Sequence, residues 1–225
     1  MLKDSKKFIV GNVDETTEEE QKINRRLTQL KRDKKTTAKE YDKLFISGSS
    51  ITMIYCTVKV HKQNYSLRPI ISICNAPNYK IAAHLASMIK QCNDQLSSYV
   101  KDSFEFVKML QNNIVGSNEI MLSFDVESLY PNVSVTEAID IAVKMLWGTN
   151  KTMKFMKLTK SETYILLFNL ALRNLQFRLY NEYYRQKEGV AMGSLLAPIL
   201  ADIFMNNLEK KTYRTTDIIK NYNMD

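Results

Sequence analysis

The 225-residue sequence predicts an α+β fold in which helices and β-hairpins are interleaved along the chain. Two segments, residues 51–73 and 177–186, have the β-branched and aromatic composition of paired strands around a short polar turn. Between and after them, apolar residues recur every three or four positions, as they do in amphipathic helices. Strands do not alternate regularly with helices, so a series of βαβ units is not predicted.

The composition is that of a globular protein with a basic balance. Hydrophobic residues make up 44% and charged residues 25% of the chain, which suits one domain or two closely packed subdomains. A net charge of +8 favours a polyanionic partner such as nucleic acid, because lysine and arginine release counterions when they contact phosphates. A basic protein without such a partner is the alternative.

The sequence indicates an intracellular protein, nuclear or cytoplasmic, that is neither secreted nor bound to a membrane. The longest apolar run, residues 164–172, is well short of the roughly 20 residues that a membrane span needs. Charged residues interrupt the N-terminus where a signal peptide would lie. The three cysteines form no CxxC pair, so neither a disulfide framework nor a zinc site is indicated.

The first half of the chain predicts a helix, a hairpin and a second helix. Residues 1–48 are polar, and Ile23, Leu27 and Leu30 recur there at helical spacing. For the basic cluster around them we favour a solvated helix face, with nucleic-acid contact as the alternative. Residues 51–73 predict the hairpin. A helix is expected over residues 78–99, with an apolar stripe of Ile81, Leu85, Met88, Ile89, Cys92 and Leu96.

The second half predicts a strand over residues 120–126, followed by helices on both sides of the second hairpin. Ser134-x-x-Glu137 and Thr159-x-x-Glu162 have the spacing of capping boxes, which open helices. Pro198 suits the first turn of the last helix, because its missing N–H has no partner there. The residues of that helix expected to face the core are Ile199, Leu200, Ile203, Phe204 and Leu208.

Asp125 is the candidate for metal-dependent chemistry. It follows an apolar run and precedes a turn, so its carboxylate is expected at the mouth of a crevice at the strand's end. Phosphoryl transfer needs such carboxylates to hold divalent ions, and the backbone carbonyl of Val126 would be a further oxygen ligand for magnesium. The alternative is that Asp125 only caps the turn. Gly189 and Gly193 bracket another turn and permit close approach of the backbone.

Four ordered blocks resemble motifs of reverse transcriptases, in the form found in Penelope-like retroelements. SFDVESLYPNV resembles motif A, and KEGVAMGSLLAPILADIFMNNLE resembles motif B. FRLYNEYYRQKEG resembles the hairpin that precedes motif B, and IYCTVKVHKQNYSLRPIIS resembles the finger motif. Together the blocks span about residues 48–209, which makes the match more specific than any single motif.

The resemblance implies the fingers and palm of a right-hand polymerase, with an incomplete palm and no thumb. Residues 1–48 would be a polar N-terminal extension and residues 49–225 the reverse transcriptase fragment. Within that fragment the expected parts are fingers (49–119), palm with motif A (120–148), a fingers-side helix (149–176) and palm with motif B (177–225). The implied activity is RNA-directed DNA polymerisation with Mg²⁺ or Mn²⁺, an RNA template, a DNA primer and dNTP.

The resemblance also implies roles for individual residues. Asp125 would be the catalytic metal ligand, with Val126 contributing its backbone carbonyl, and Tyr130 would lie under the sugar and exclude a 2′-hydroxyl. Arg68 would hold the triphosphate with its guanidinium fork, a two-pronged geometry that lysine cannot match. Lys59 and Lys62 would contact the nucleotide, and the expected primer–template contacts are Gly189, Val190, Ala191, Met192, Gly193 and Ser194. The alternatives are a core position for Tyr130, a surface ion pair for Arg68 and solvated charges for the lysines.

One part of the reverse transcriptase pattern is missing. Motif C, an aromatic-x-Asp-Asp hairpin, should follow motif B, and residues 210–225 contain no Asp-Asp. We therefore expect a chain truncated before motif C, with little or no polymerase activity by itself. A catalytically dead nucleic-acid-binding remnant and an unstable product of a decayed element are the alternatives.

Overall fold

The computed structural model describes most of the chain. The described residues are 5, 7–60, 65, 67–92, 100–111, 116–117, 120, 126, 128–148, 160–163, 168–173 and 175–215. They combine helices with one five-stranded sheet, in agreement with the predicted mixture of helices and strands.

The sheet has the strand order β1-β5-β4-β2-β3. β1 (Phe8–Gly11) pairs antiparallel with β5 (Glu182–Gln186), which pairs antiparallel with β4 (Gln176–Leu179). β4 lies parallel to β2 (Thr52–Val58), and β2 pairs antiparallel with β3 (Leu67–Ser72). Both predicted hairpins are therefore confirmed, and a parallel contact between β2 and β4 joins them into one sheet.

Nine helices lie within the described residues. They are α1 (Thr16–Arg32), α2 (Ala38–Leu44), α3 (Tyr79–Cys92), α4 (Ser103–Gln111), α5 (Leu129–Asn132), α6 (Val135–Gly148), α7 (Lys160–Thr163), α8 (Asn169–Leu172) and α9 (Ala197–Thr215). No helix in this part of the chain is both long enough and apolar enough to cross a membrane.

The segment expected as a polar extension contributes to the sheet and to the core. β1 is an edge strand, and the Phe8 ring meets the Phe177 ring of β4 edge-on at 6.0 Å between centroids. In α1 the predicted stripe of Ile23, Leu27 and Leu30 is buried. Burial of this stripe stabilises α1, because isolated helices of this length are only marginally stable in water.

Helix α6 is connected to α9 through its first turn. The Ser134 hydroxyl accepts the Glu137 N–H at 3.4 Å, which is one half of the predicted capping box. The Glu137 carboxylate accepts hydrogen bonds from Asn207 at 2.9 Å and from Lys211 at 2.6 Å, both on α9. One carboxylate therefore holds the two helices together.

The predicted inner face of α9 is confirmed except at its end. Ile199, Leu200 and Ile203 are buried and Phe204 is partly buried, whereas Leu208 is 45% exposed. The prediction for Leu208 was wrong because the helical repeat from Leu200 and Ile203 leads to Asn207 instead.

Several predicted elements extend beyond the described residues. The strand expected over residues 120–126 falls on a segment of which only Ile120 and Val126 are described, and neither is in a strand. The helix expected from Thr159 is described only in α7 and α8, and residues 93–99 of the earlier predicted helix lie outside the description.

Candidate nucleotidyl-transfer site

Residues 189–194, which we call the glycine turn, continue the sheet at the free edge of β3. The Ile71 N–H donates to the Met192 carbonyl at 2.7 Å. Alternate residues of a strand direct their N–H groups to the same edge, so Pro69 lies at a position of β3 whose N–H would face away from β2. A proline there costs no hydrogen bond within the sheet.

The two glycines of this turn are required by close contacts with the protein's own backbone. Gly193 has a φ of +107°, and a Cβ there would lie 2.3 Å from the Ile71 carbonyl oxygen. Gly189 has a φ of +74°, and its Cβ would lie 2.7 Å from Pro131 backbone atoms in α5. Any larger residue would move the turn away from β3 or from α5. Approach of the same turn to a base pair stays a prediction.

Tyr130 lies on α5, beside the glycine turn. The Val190 N–H donates to the Tyr130 carbonyl at 2.9 Å, and Tyr130 is partly buried against the core. The short helix begins after Ser128, which has a left-handed φ of 53°. The structure therefore brings Tyr130 next to residues predicted to contact the primer–template, and its partial burial leaves part of it accessible.

Arg68 projects from β3 into solvent. It pairs across the hairpin with Thr57, and no ion pair among the described residues involves it. Because strand side chains alternate, Arg68 shares a face of the sheet with Ile70, whose Cγ2 lies 3.5 Å from the Cβ position of Gly193. The guanidinium is thus carried on the sheet face beside the glycine turn.

Tyr55 and Arg178, which the sequence analysis did not select, share this sheet face. Tyr55 of β2 pairs with Ile70, while Arg178 of β4 pairs with Met53 on one side and with Tyr183 on the other. Tyr55 is 52% exposed, and the Nε of Arg178 is buried without a hydrogen-bond partner among the described residues. The alternation of each hairpin indicated which residues share a face. It could not show that the two hairpins lie side by side.

Lys7, also missed by the sequence analysis, connects the N-terminal strand to α5. Its amino group donates to the Asn132 side chain at 3.2 Å, and its carbonyl accepts the Lys187 N–H at 2.8 Å. The Lys187 amino group in turn donates to the Ser5 carbonyl at 2.9 Å. No local pattern in the sequence indicated this contact, because it joins residues more than a hundred positions apart.

The predicted metal ligand Asp125 and the predicted nucleotide contact Lys62 lie outside the described residues. Val126 is described and is 44% exposed, and Lys59 is partly buried just after β2. In the described ranges, no group of three or more His, Cys, Asp or Glu side chains could hold a metal ion. Asp125 and the Val126 carbonyl as magnesium ligands stay a prediction from the sequence.

The family described as "Reverse transcriptase (RNA-dependent DNA polymerase)" matches residues 60–224, nearly three quarters of the chain. The chain belongs to the reverse transcriptase family. The matched range contains β3, α5, the glycine turn and α9, whereas β1, α1, α2 and β2 of this reverse transcriptase precede it. A comparison with curated proteins found no match. The predicted kinship with reverse transcriptases is confirmed, while the Penelope-like subtype and truncation before motif C stay predictions.

Proposed function

We propose that this chain forms the fingers and palm of a Penelope-like reverse transcriptase, with Asp125 as its catalytic carboxylate in RNA-directed DNA synthesis. Family membership supports the reaction class. Two backbone hydrogen bonds support the proposed position of the site. The Ile71 N–H donates to the Met192 carbonyl, and the Val190 N–H donates to the Tyr130 carbonyl. These bonds join the strand of Arg68, the glycine turn and the helix of Tyr130.

In this proposal Arg68 and Tyr130 recognise the incoming nucleotide. The Arg68 guanidinium is exposed and free of ion pairs among the described residues, so it is available to form paired hydrogen bonds with phosphate oxygens. Tyr130 lies beneath the sugar and excludes a 2′-hydroxyl by its volume. Lys59 and Lys62 add positive charge beside the triphosphate, and the glycine turn faces the primer–template.

The proposed cofactor is Mg²⁺ or Mn²⁺, held by Asp125 and by the carbonyl of Val126. When bound, such an ion neutralises charge on the phosphates and polarises them toward attack. Two-metal transfer needs more carboxylates than Asp125 supplies, and no Asp-Asp follows the glycine turn in the 225 residues. We therefore propose that this polypeptide by itself incorporates little or no dNTP.

Equilibrium binding of nucleotides tests the recognition roles without requiring turnover. With Mg²⁺ present, wild-type protein should bind dNTP saturably and bind the matching ribonucleotide more weakly. Arg68→Gln should weaken dNTP binding about tenfold to a hundredfold, since a charge-assisted hydrogen bond contributes about 1.5–3 kcal/mol. Tyr130→Ala should reduce the preference for deoxynucleotides. Arg173→Gln, which removes an exposed arginine at the end of α8, is the matched control and should bind like wild type.

Two results would contradict the proposal. Equal dNTP affinities of Arg68→Gln and Arg173→Gln would show that Arg68 does not contact the nucleotide. Salt-dependent binding of nucleic acid without any dNTP binding would favour the nucleic-acid-binding remnant. The inactivity is tested separately by primer extension with Mg²⁺ or Mn²⁺, because incorporation that disappears in Asp125→Asn would show a working polymerase.

A further inference from the structure

The C-terminal part of α1 and the residues just after it carry most of the chain's net charge. Residues 21–35 contain seven lysines and arginines and one acidic residue, Asp33, so this stretch contributes +6 of the chain's +8. It precedes residue 60, where the reverse transcriptase match begins. Neither the family match nor the proposed nucleotide site accounts for this concentration of charge.

The geometry of α1 separates its basic face from its buried face. Ile23 and Leu27 are almost fully buried, while Arg25 and Arg32 lie on the opposite side of the helix and are exposed. The two arginines are seven residues apart, which is two helical turns or roughly 10 Å along the axis.

Arg25 and Arg32 of this face, and the partly buried Arg26 beside it, are not neutralised by ion pairs within the described residues. Arg25 donates to the Gln21 side chain at 3.3 Å and Arg26 to the Gln29 side chain at 2.8 Å, both of them neutral partners on the same helix. These bonds hold the guanidinium groups over the helix surface and leave their charge uncompensated.

The acidic half of α1 is partly engaged elsewhere. Glu20 accepts hydrogen bonds from the Ser49 N–H at 2.7 Å and from the Ser49 hydroxyl. Glu19 faces Lys22 at 3.5 Å. The negative charges of α1 are thus confined to its N-terminal part, residues 18–20, and α1 is basic toward its C-terminal end.

We infer that this basic face of α1 binds the phosphate backbone of a nucleic-acid duplex without reading its base sequence. Guanidinium groups match phosphate oxygens in geometry and charge. Residues 16–35 contain no aromatic side chain, and the ring of Tyr41, which contacts α1, is already covered by the Lys31 amino group and Phe45. An unpaired base therefore has little aromatic surface to stack on, which favours a duplex over a single strand. We propose nucleic acid rather than another polyanion because the chain belongs to the reverse transcriptase family. Binding of a duplex to this face of α1 does not depend on the proposed dNTP site.

The test measures how salt affects binding of a fluorescent RNA–DNA hybrid duplex to the full 225-residue protein. The variant replaces three arginines together, Arg25→Gln, Arg26→Gln and Arg32→Gln. The control replaces three exposed lysines, Lys39→Gln, Lys90→Gln and Lys108→Gln, and so removes the same charge from α2, α3 and α4. Circular dichroism checks that both variants fold, because Arg26 is partly buried whereas the other substituted positions are exposed.

The arginine variant should lose more than tenfold in affinity at moderate salt. The slope of log K against log salt should become shallower by about 3, because each phosphate contact contributes roughly 0.9 to 1. The lysine control should keep a slope close to that of wild type. Binding of dNTP should be the same in both variants, so failure of this inference is distinguishable from failure of the proposed nucleotide site.

Three outcomes would overturn the inference. Equal salt slopes in the two variants would mean that only the net charge of the protein matters. If wild-type protein does not bind the hybrid duplex, this face of α1 is not a nucleic-acid-binding surface. Tighter binding of a single strand than of the duplex, through the same arginines, would assign the face to unpaired nucleic acid. If the triple variant does not fold, Arg25→Gln alone decides, with an expected change in slope of about 1.

Discussion

Replacing Gly193 by alanine should destabilise the protein far more than replacing Gly48. Both glycines have a positive φ, +107° and +70°, so both substitutions impose a backbone conformation that L-residues avoid. A Cβ at Gly48 meets no described atom within 4 Å, whereas a Cβ at Gly193 lies 2.3 Å from the Ile71 carbonyl oxygen and 3.0 Å from its carbon. Gly48→Ala therefore isolates the conformational cost.

The magnitudes follow from these two contributions. A left-handed conformation costs a non-glycine residue about 1–2 kcal/mol, and the smaller chain entropy of unfolded alanine returns about 0.4–1 kcal/mol. Gly48→Ala should thus cost about 1 kcal/mol. At Gly193 the overlap with β3 adds about 1–3 kcal/mol, as overpacking does, for a total of about 2–4 kcal/mol.

Thermal unfolding followed by far-ultraviolet circular dichroism measures the difference. For a chain of this size 1 kcal/mol corresponds to about 2–4 °C in Tm, so Gly48→Ala should lower Tm by roughly 3 °C and Gly193→Ala by roughly 5–15 °C. Urea unfolding gives the corresponding free energies. Equal effects of the two substitutions would show that the glycine turn does not pack against β3, and the argument for the site's geometry would then fail.

Three further predictions concern the pH dependence of stability and a hydrogen bond in the turn before α9. Burial, assisted by Lys43, lowers the pKa of His84 to about 4. Between pH 6.5 and pH 4, His84 is then protonated in the unfolded chain but not in the folded protein. The free energy of unfolding should therefore be largest above pH 6.5 and should fall by up to about 1.4 kcal/mol per pH unit toward pH 4. His84→Gln should show a smaller difference in urea unfolding between pH 7 and pH 5. Hydrogen bonds from Ser49 lower the pKa of Glu20 below its ordinary 4.5. Glu20→Gln should cost about 1–2 kcal/mol at pH 7 and progressively less as acid protonates the wild-type carboxylate, which urea titrations below pH 5 would reveal. The buried Ser194 hydroxyl accepts the Leu196 N–H at 3.3 Å in the turn just before α9, so Ser194→Ala should cost about 1 kcal/mol in chemical unfolding. An unchanged free energy of unfolding would show that this hydrogen bond does not contribute to stability.

Local pattern was sufficient for α1, α3, α6 and α9 and for both hairpins, whereas the short helices α2, α4 and α5 were not predicted. The stripe of Ile23, Leu27 and Leu30 predicted α1, because burial of one helical face leaves a period that can be read from sequence alone. β1 was missed because four residues, half of them exposed, show no such period. The parallel pairing of β2 with β4 joins residues more than a hundred positions apart, and alternation within each strand contains no information about it.

The candidate site, too, could be predicted from the sequence only in part. Its residues were selected from motifs, and approach of a base pair to Gly189 and Gly193 stays a prediction. In the structure these glycines permit close approach of the protein's own backbone. The neighbours that require glycine, Ile71 and Pro131, could not be identified, since their proximity depends on how the sheet and α5 pack. Lys7 was missed for the same reason, because its contact with Asn132 exists only once β1 has joined the sheet.

The position of β2 in the sheet has a practical consequence for handling this protein. A fragment trimmed to residues 60–224 would lose β1 at one border of the sheet and also β2, which lies between β4 and β3. β3 would then have no neighbour, β4 and β5 would remain as an isolated pair, and uncovered strands of this kind readily aggregate. Recombinant versions that begin at residue 5 or earlier keep the whole sheet and should be the ones that stay monodisperse.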